Sequence, residues 1–184
     1  MTFPAELVHQ AFVATPLTQQ TAVLDYAAYM ASPDVIRVHS DGRWPVDGFT
    51  LEDDRQQVAQ HEADHRAGRS FAFALLNPVR DESLGCLYLN PLQSYLQRAG
   101  ADDETRARYP ADAAMVTFWL RQDRQHTDLA TTVVEAVTTW LPGTHLWRCL
   151  PAEHASRQAL ESLNLHPVTL NLVTEKRPYL WFQA

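Results

Sequence analysis

Residues 113–130 read AAMVTFWLRQDRQHTDLA, and the fold turns on how this passage is parsed. Ala113 to Leu120 is the most strand-like run in the chain, apolar at consecutive positions as a strand covered on both faces must be. Charge enters at Arg121, Asp123 and Arg124, and from Leu129 the period changes. Leu129, Val133, Ala136, Val137 and Trp140 then share one face of a helix whose other face carries Thr131, Thr132, Glu135 and Thr138. A helix fed directly from a strand is a place where α/β proteins hold phosphate on free backbone N–H groups. No glycine stands at this junction, and Asp128 occupies the place where a phosphate cradle wants one.

Downstream, HLWRCL (145–150) reads as the next strand, so strand, helix and strand make a parallel crossover unit. Upstream, SFAFALL (70–76) and SLGCLYL (83–89) flank Asn77-Pro78 and Asp81-Glu82, the signature of a β-hairpin with a longer loop. Phe12 to Ala14 reads as a short strand, and Thr15-Pro16 as a helix cap with proline at the first helical position. The helix that follows would turn Val23, Leu24, Ala27 and Met30 inward and stop before Ser32-Pro33. Residues 34–49 read as a loop, and 50–67 as a strongly polar helix ended by Gly68. Residues 91–111 read as a long polar connection, 151–163 as a helix, and 168–173 and 179–183 as closing strands. Asn164 suits a left-handed cap, with Pro167 just beyond. The expectation is one α+β domain over residues 1–184, with about four helices around a mixed, mostly antiparallel sheet of six to seven strands.

Length and composition agree with a single core of ordinary size, since 46% of the residues are hydrophobic. A formal charge of −7, with Lys176 the one lysine, argues against nucleic acid or an anionic membrane as partner. The start, MTFPAELVHQ, has no basic segment leading into an apolar one, and no apolar run is long enough to span a bilayer, so a cytoplasmic location is expected. Cys86 and Cys149 sit inside apolar strand-like runs, as small hydrophobes do.

Two stretches point further. LGCLYLNPL (84–92) followed by AAMVTFWL, and PAEHASRQALESLNL (151–165), resemble the third and fourth strands and the fourth helix of the GNAT acyltransferase superfamily. In that helix, often written N-x-x-S before a hydrophobic stripe and L-G-F, Glu153 stands at the Asn, Ser156 matches the Ser and Asn164 replaces the Gly. Asn is the non-glycine residue best able to take a positive φ. The resemblance covers nearly the whole chain. It implies an N-acetyltransferase acting on an amine of a small molecule or peptide, with a V-shaped split between strands four and five that receives the pantetheine arm of acetyl-CoA.

The resemblance also implies that the cofactor's pyrophosphate sits at the start of the helix after strand four, on the consensus Q/R-x-x-G-x-G/A. Gln125-His126-Thr127-Asp128-Leu129-Ala130 keeps the Gln and the final Ala, so Leu120, Arg121, Arg124 and Gln125 to Ala130 become the cofactor-binding candidates. As a helix N-cap, Asp128 would contribute about 1 kcal/mol to the helix. Its carboxylate would then occupy the donors a pyrophosphate needs and repel it, by about 4 kcal/mol at 4 Å and an effective dielectric of 20. Arg121 and Arg124 can offset that charge as bidentate donors to phosphate.

Acyl transfer to an amine needs a base, an oxyanion donor and an acid for the leaving thiolate. Where the family often places a glutamate on strand four and a tyrosine on the fourth helix, this chain has Met115 and Leu160, neither able to move a proton. Ser156 and Asp112 are the catalytic candidates, Ser156 as donor to the thiolate. His39, Arg43, Trp44 and Tyr88 are the substrate-side candidates. Without base, acid and glycine, the alternative is a degenerate GNAT-fold ligand-binding module.

A competing motif, His61-Glu62-Ala63-Asp64-His65, matches H-E-x-x-H, in which two histidines one helical turn apart bind zinc and the glutamate activates water. Arg66, Gly68 and Arg69 follow it where a zinc hydrolase helix would be apolar, so no metal is expected. The aromatic C-terminal PYLWFQA could close the sheet or pair with a second copy, which suggests a homodimer.

Overall fold

The structure, a computed structural model, describes residues 5–183. Among these residues eight strands form one sheet: β1 (Leu7–Val8), β2 (Val13–Pro16), β3 (Phe71–Leu76), β4 (Ser83–Pro91), β5 (Ala114–Leu120), β6 (His145–Cys149), β7 (His166–Pro167) and β8 (Leu180–Gln183). Their spatial order is β1-β2-β3-β4-β5-β6-β8-β7, antiparallel throughout except for β5 and β6. Seven α-helices accompany them among the described residues: α1 (Ala22–Met30), α2 (Pro33–His39), α3 (Leu51–Arg66), α4 (Leu92–Arg98), α5 (Asp103–Ala107), α6 (Leu129–Trp140) and α7 (His154–Ser162). The α+β class and the mixed sheet are as the sequence implied. The eighth strand and three extra helices come from elements too short to read as periodic.

The core has two main layers. On one face Val133, Val134 and Val137 of α6 and Ala159 and Leu160 of α7 pack on Phe73, Leu87, Val116, Phe118 and Trp147. On the other, Ala22 and Ala28 of α1, Ile36 of α2 and Val58 of α3 cover Ala72, Ala74, Cys86 and Trp119. A smaller cluster joins Leu92, Tyr95 and Leu96 of α4 to Met115, Leu146 and Trp181.

Several local readings are corrected. Thr15 and Pro16 do not cap a helix; they extend β2, opposite Ala74 and Phe73. α1 begins after Thr21 and turns Ala22, Asp25 and Ala28 inward, leaving Val23 and Met30 about half exposed. Small side chains let the helix approach the sheet closely, and the Cys86 thiol donates to Asp25 Oδ1 at 3.0 Å in place of water. The expected loop at 34–49 opens with α2, whose first residue is Pro33. The connection at 91–111 holds α4 and α5. Residues 168–173 carry no strand, only a bridge from Leu172 to Ala101, and the strand before β8 is the two-residue β7.

The polar helix is α3, closed at its start by a reciprocal cap between Thr50 and Asp53 and followed by Gly68 at φ +67°. Asn164 has φ +54°, the left-handed cap expected of it. Gly85 is fixed for a steric reason: a Cβ there would lie 2.0 Å from the Trp119 carbonyl oxygen, so only glycine lets β4 and β5 pair at this point. The C-terminal strand β8 lies between β6 and β7, with Trp181 and Phe182 buried. PYLWFQA therefore closes the sheet from within, between β6 and β7.

Candidate active site

The two parallel strands at the centre of the sheet pair at only three positions, Ala114 with His145, Met115 with Leu146 and Val116 with Trp147. Beyond these both strands continue, but each keeps only its outer neighbour. Thr117 to Leu120 pair with β4, while Arg148 and Cys149 pair with β8. Backbone direction alternates along a strand. Arg121 N–H reaches Leu84 on the β4 side and Ala114 N–H reaches Thr144 on the other, so Phe118 and Leu120 turn their N–H groups into the wedge with no strand to meet them.

The wedge opens into a cleft of about 470 Å³. Trp119 and Leu120 line one wall, Glu153 and Ser156 the other, Gln125 and His126 the end toward α6, and Asp34, Val35 and Val38 of α2 the roof. Ser156 is buried, faces this space from the first turn of α7, and its hydroxyl has no hydrogen-bond partner among the described residues. Glu153, just before that helix, accepts from the Leu150 N–H at 2.5 Å through Oε2 and meets His39 Nδ1 at 2.5 Å through Oε1.

At the phosphate end, Asp128 stands at the N-cap of α6, but its exposed carboxylate makes no capping hydrogen bond. The expected occupation of the helix donors is therefore overturned. Thr127 Oγ1 takes the Leu129 N–H in a long 3.4 Å contact, and the N–H groups of Ala130 and Thr131 have no partner among the described residues. Arg121 and Arg124 are held in ion pairs with Glu82 at 2.6 and 3.3 Å and with Asp123 at 3.2 and 3.7 Å, Arg124 and Glu82 lining a shallow groove together with Asp128. Their charge is already matched, which removes the expected offset to Asp128. Gln125 turns back so that its Nε2 donates to the Leu120 carbonyl at 2.7 Å.

Of the remaining candidates, His39 and Tyr88 meet, their rings stacked at 6.1 Å. Arg43 and Trp44 do not join them. Arg43 Nε donates to the Ser40 carbonyl, and Trp44 packs edge-on against Phe49, lining a separate groove with Gln56, Gln57 and Gln60. Asp112 is exposed before the start of β5, whereas the cleft opens at the strand's other end, roughly 25 Å away at about 3.3 Å per residue. It takes no part in the cleft. Glu153, Trp119 and the α2 residues, which sequence reasoning did not select as site residues, do line it.

The H-E-x-x-H residues lie on α3 with other commitments. Glu62 is ion-paired with Arg66 and accepts from the Gln19 N–H. His61 rests on Tyr88, and His65 sits edge-on against Phe71 and Phe73. Burial holds both imidazoles below the usual histidine range. Among the described residues no group of three could hold a metal ion, and no helix is long and apolar enough to cross a membrane.

No protein-family model and no curated protein sequence matches the chain. Solved structures do, at low identity and over nearly the full length. A structure described as a ribosomal-protein-serine acetyltransferase of Vibrio cholerae aligns at a TM-score of 0.67 and 13% identity, covering 100% of this chain and 99% of that one. The ribosomal L7/L12 α-N-protein acetyltransferase RimL in complex with coenzyme A gives 0.69 and 13%, covering 99% and 96%. The microcin C7 self-immunity acetyltransferase MccE in complex with acetyl-CoA and AMP gives 0.66 and 10%, covering 96% and 93%. The chain has the GNAT fold, split central strands included.

Proposed function

We propose that this protein is an N-acetyltransferase that moves an acetyl group from acetyl-CoA to an amine of a small molecule or a peptide. One observation carries the reading: β5 and β6 part after three pairs, leaving the Phe118 and Leu120 amides without a strand partner in a wedge that opens onto a cleft lined by Leu120 on one side and Ser156 on the other. A slender arm with amides of its own suits such an edge, because it can stand in for the missing strand. The free N–H groups of Ala130 and Thr131 suit a phosphate, and Asp128 opposes one. Likeness to proteins solved with coenzyme A and with acetyl-CoA supports the same reading.

Acetyl-CoA would supply the activated acyl group. The chain's part is to hold thioester and amine together, a large source of acceleration by itself. An N–H of the wedge steadies the carbonyl oxygen as charge develops there, and the Ser156 hydroxyl donates to sulfur as the C–S bond breaks. Asp34 and Glu153 in the lining suit a cationic amine better than an anion.

Calorimetric titration with acetyl-CoA is the deciding experiment, followed by release of CoA thiol on adding peptides with free N-terminal Ser or Ala, or small amines. Micromolar binding with thiol release is expected. Absence of binding at millimolar acetyl-CoA overturns the proposal and favours a ligand-binding module, a reading supported by Asp128 and by the pairing of Arg121 and Arg124 with carboxylates.

A further inference from the structure

His39 is the last residue of α2, and Glu153 immediately precedes α7. Their side chains meet beside the cleft, 21% and 11% exposed respectively. Both oxygens of the Glu153 carboxylate are engaged, one by the Leu150 N–H and one by His39 Nδ1, each at 2.5 Å. An ionised carboxylate only accepts, so Nδ1 carries the proton of the neutral ring and the lone pair remains on Nε2. Nε2 has no hydrogen bond among the described residues.

The ring plane is set from a second direction. Tyr88 stacks on it at an interplanar angle of 23°, and the Tyr88 hydroxyl is held by the Trp119 Nε1–H at 3.2 Å. Trp119 is itself a wall of the cleft. His61 of α3 meets the same tyrosine ring at 5.8 Å between centroids, while Asp34 and Arg37, the other charges on α2, pair with each other at 3.8 Å, Asp34 at the rim of the cleft. An imidazole fixed in one tautomer by a carboxylate, with its second nitrogen free, is the arrangement in which histidine accepts protons efficiently.

We propose that His39 is the base for the acceptor amine and that Glu153 is its positioning residue. The inference rests on the acetyltransferase reading. His39 Nε2 takes one proton from the acceptor ammonium, giving a neutral amine. The amine lone pair forms a C–N bond to the thioester carbonyl carbon, the C–S bond breaks, and the second departing N–H proton goes to the thiolate by way of the Ser156 hydroxyl. His39 then returns its proton to water. Thioester and ammonium become amide, thiol and one proton.

The test uses the full chain, acetyl-CoA and a tripeptide with a free N-terminal serine, followed by CoA release across pH 5.5–9 (values on the order of the imidazole range). His39→Gln, which can still donate to Glu153, should lower kcat by about 100-fold or more while the calorimetric Kd for acetyl-CoA changes less than about threefold. Added imidazole should restore part of the rate. Glu153→Gln keeps a hydrogen bond but not the charge, so it should lower the plateau by about tenfold and move the acidic limb of the kcat profile to lower pH, because the imidazole becomes less basic. A pair that only clamps α2 to α7 would leave that limb in place. His39→Gln turning over within about threefold of wild type, or an unmoved limb in Glu153→Gln, overturns the proposal. Wild-type protein that binds acetyl-CoA but releases no CoA to the peptide also overturns it, whereas wild-type protein that binds no acetyl-CoA overturns the acetyltransferase reading itself.

Discussion

Asp128 shows how one side chain sets the character of a site. Its carboxylate caps nothing and faces water, so a nearby phosphate would feel it through a high dielectric, at about 1 kcal/mol rather than the about 4 kcal/mol of a half-buried pair. Asp128→Asn should therefore tighten acetyl-CoA binding about fivefold in a calorimetric titration at low salt, with the gain fading as salt screens the charge. Unchanged affinity would mean that the phosphates lie elsewhere. Ser156 and Gln125 could be picked from the sequence because a motif spacing places them. Glu153 could not, since its role depends on His39, a partner from a distant helix that no spacing rule connects to it. Asp112 misled for the opposite reason: nearness in sequence to β5 says nothing about which end of the strand is used.

At the scale of elements, α1 and α3 bring two carboxyls onto one buried surface above β4. Burial raises Asp25 to about 6, and burial together with the charge of Asp25 raises Asp54 to about 7. Asp54 Oδ2 has no hydrogen-bond partner among the described residues, which leaves its charged form uncompensated. Both groups hold their protons more tightly folded than unfolded, so the stability they allow is full below about pH 4 and is lost as pH rises through about 6 and 7. Asp54→Asn should accordingly raise Tm over wild type by roughly 5 °C at pH 8, and the difference should shrink steadily as pH falls from 7 toward 4. A constant difference in scanning calorimetry across that range would place the carboxyl in water. The sequence hid this surface, because a helix-face reading moved Asp25 outward in favour of Val23 and Met30. For α4 the signal was present: Leu92, Tyr95, Leu96 and Ala99 have helical spacing and are buried, but the charged ADDETRAR that follows dominated the passage.

Across the whole molecule, the parallel unit β5-α6-β6 and the hairpin of β3 and β4 were legible because each is defined by neighbours in sequence. The position of β8 between β6 and β7 was not, since strand order at long range depends on which faces remain open after the rest has packed. The same limit applied to the split itself, which resemblance implied and periodicity could not, because Phe118 to Leu120 are as apolar and buried as the three paired positions, and Thr117 between them is buried as well.

That split gives the sheet two edges in its interior. In hydrogen–deuterium exchange, Phe118 and Leu120 should take up deuterium faster than Val116, although all three side chains are almost wholly buried. Saturating the protein with a ligand that lies along β5 should slow those two amides and leave Val116 unchanged. Equal protection at all three positions in the free protein would show the strands closing on each other in solution.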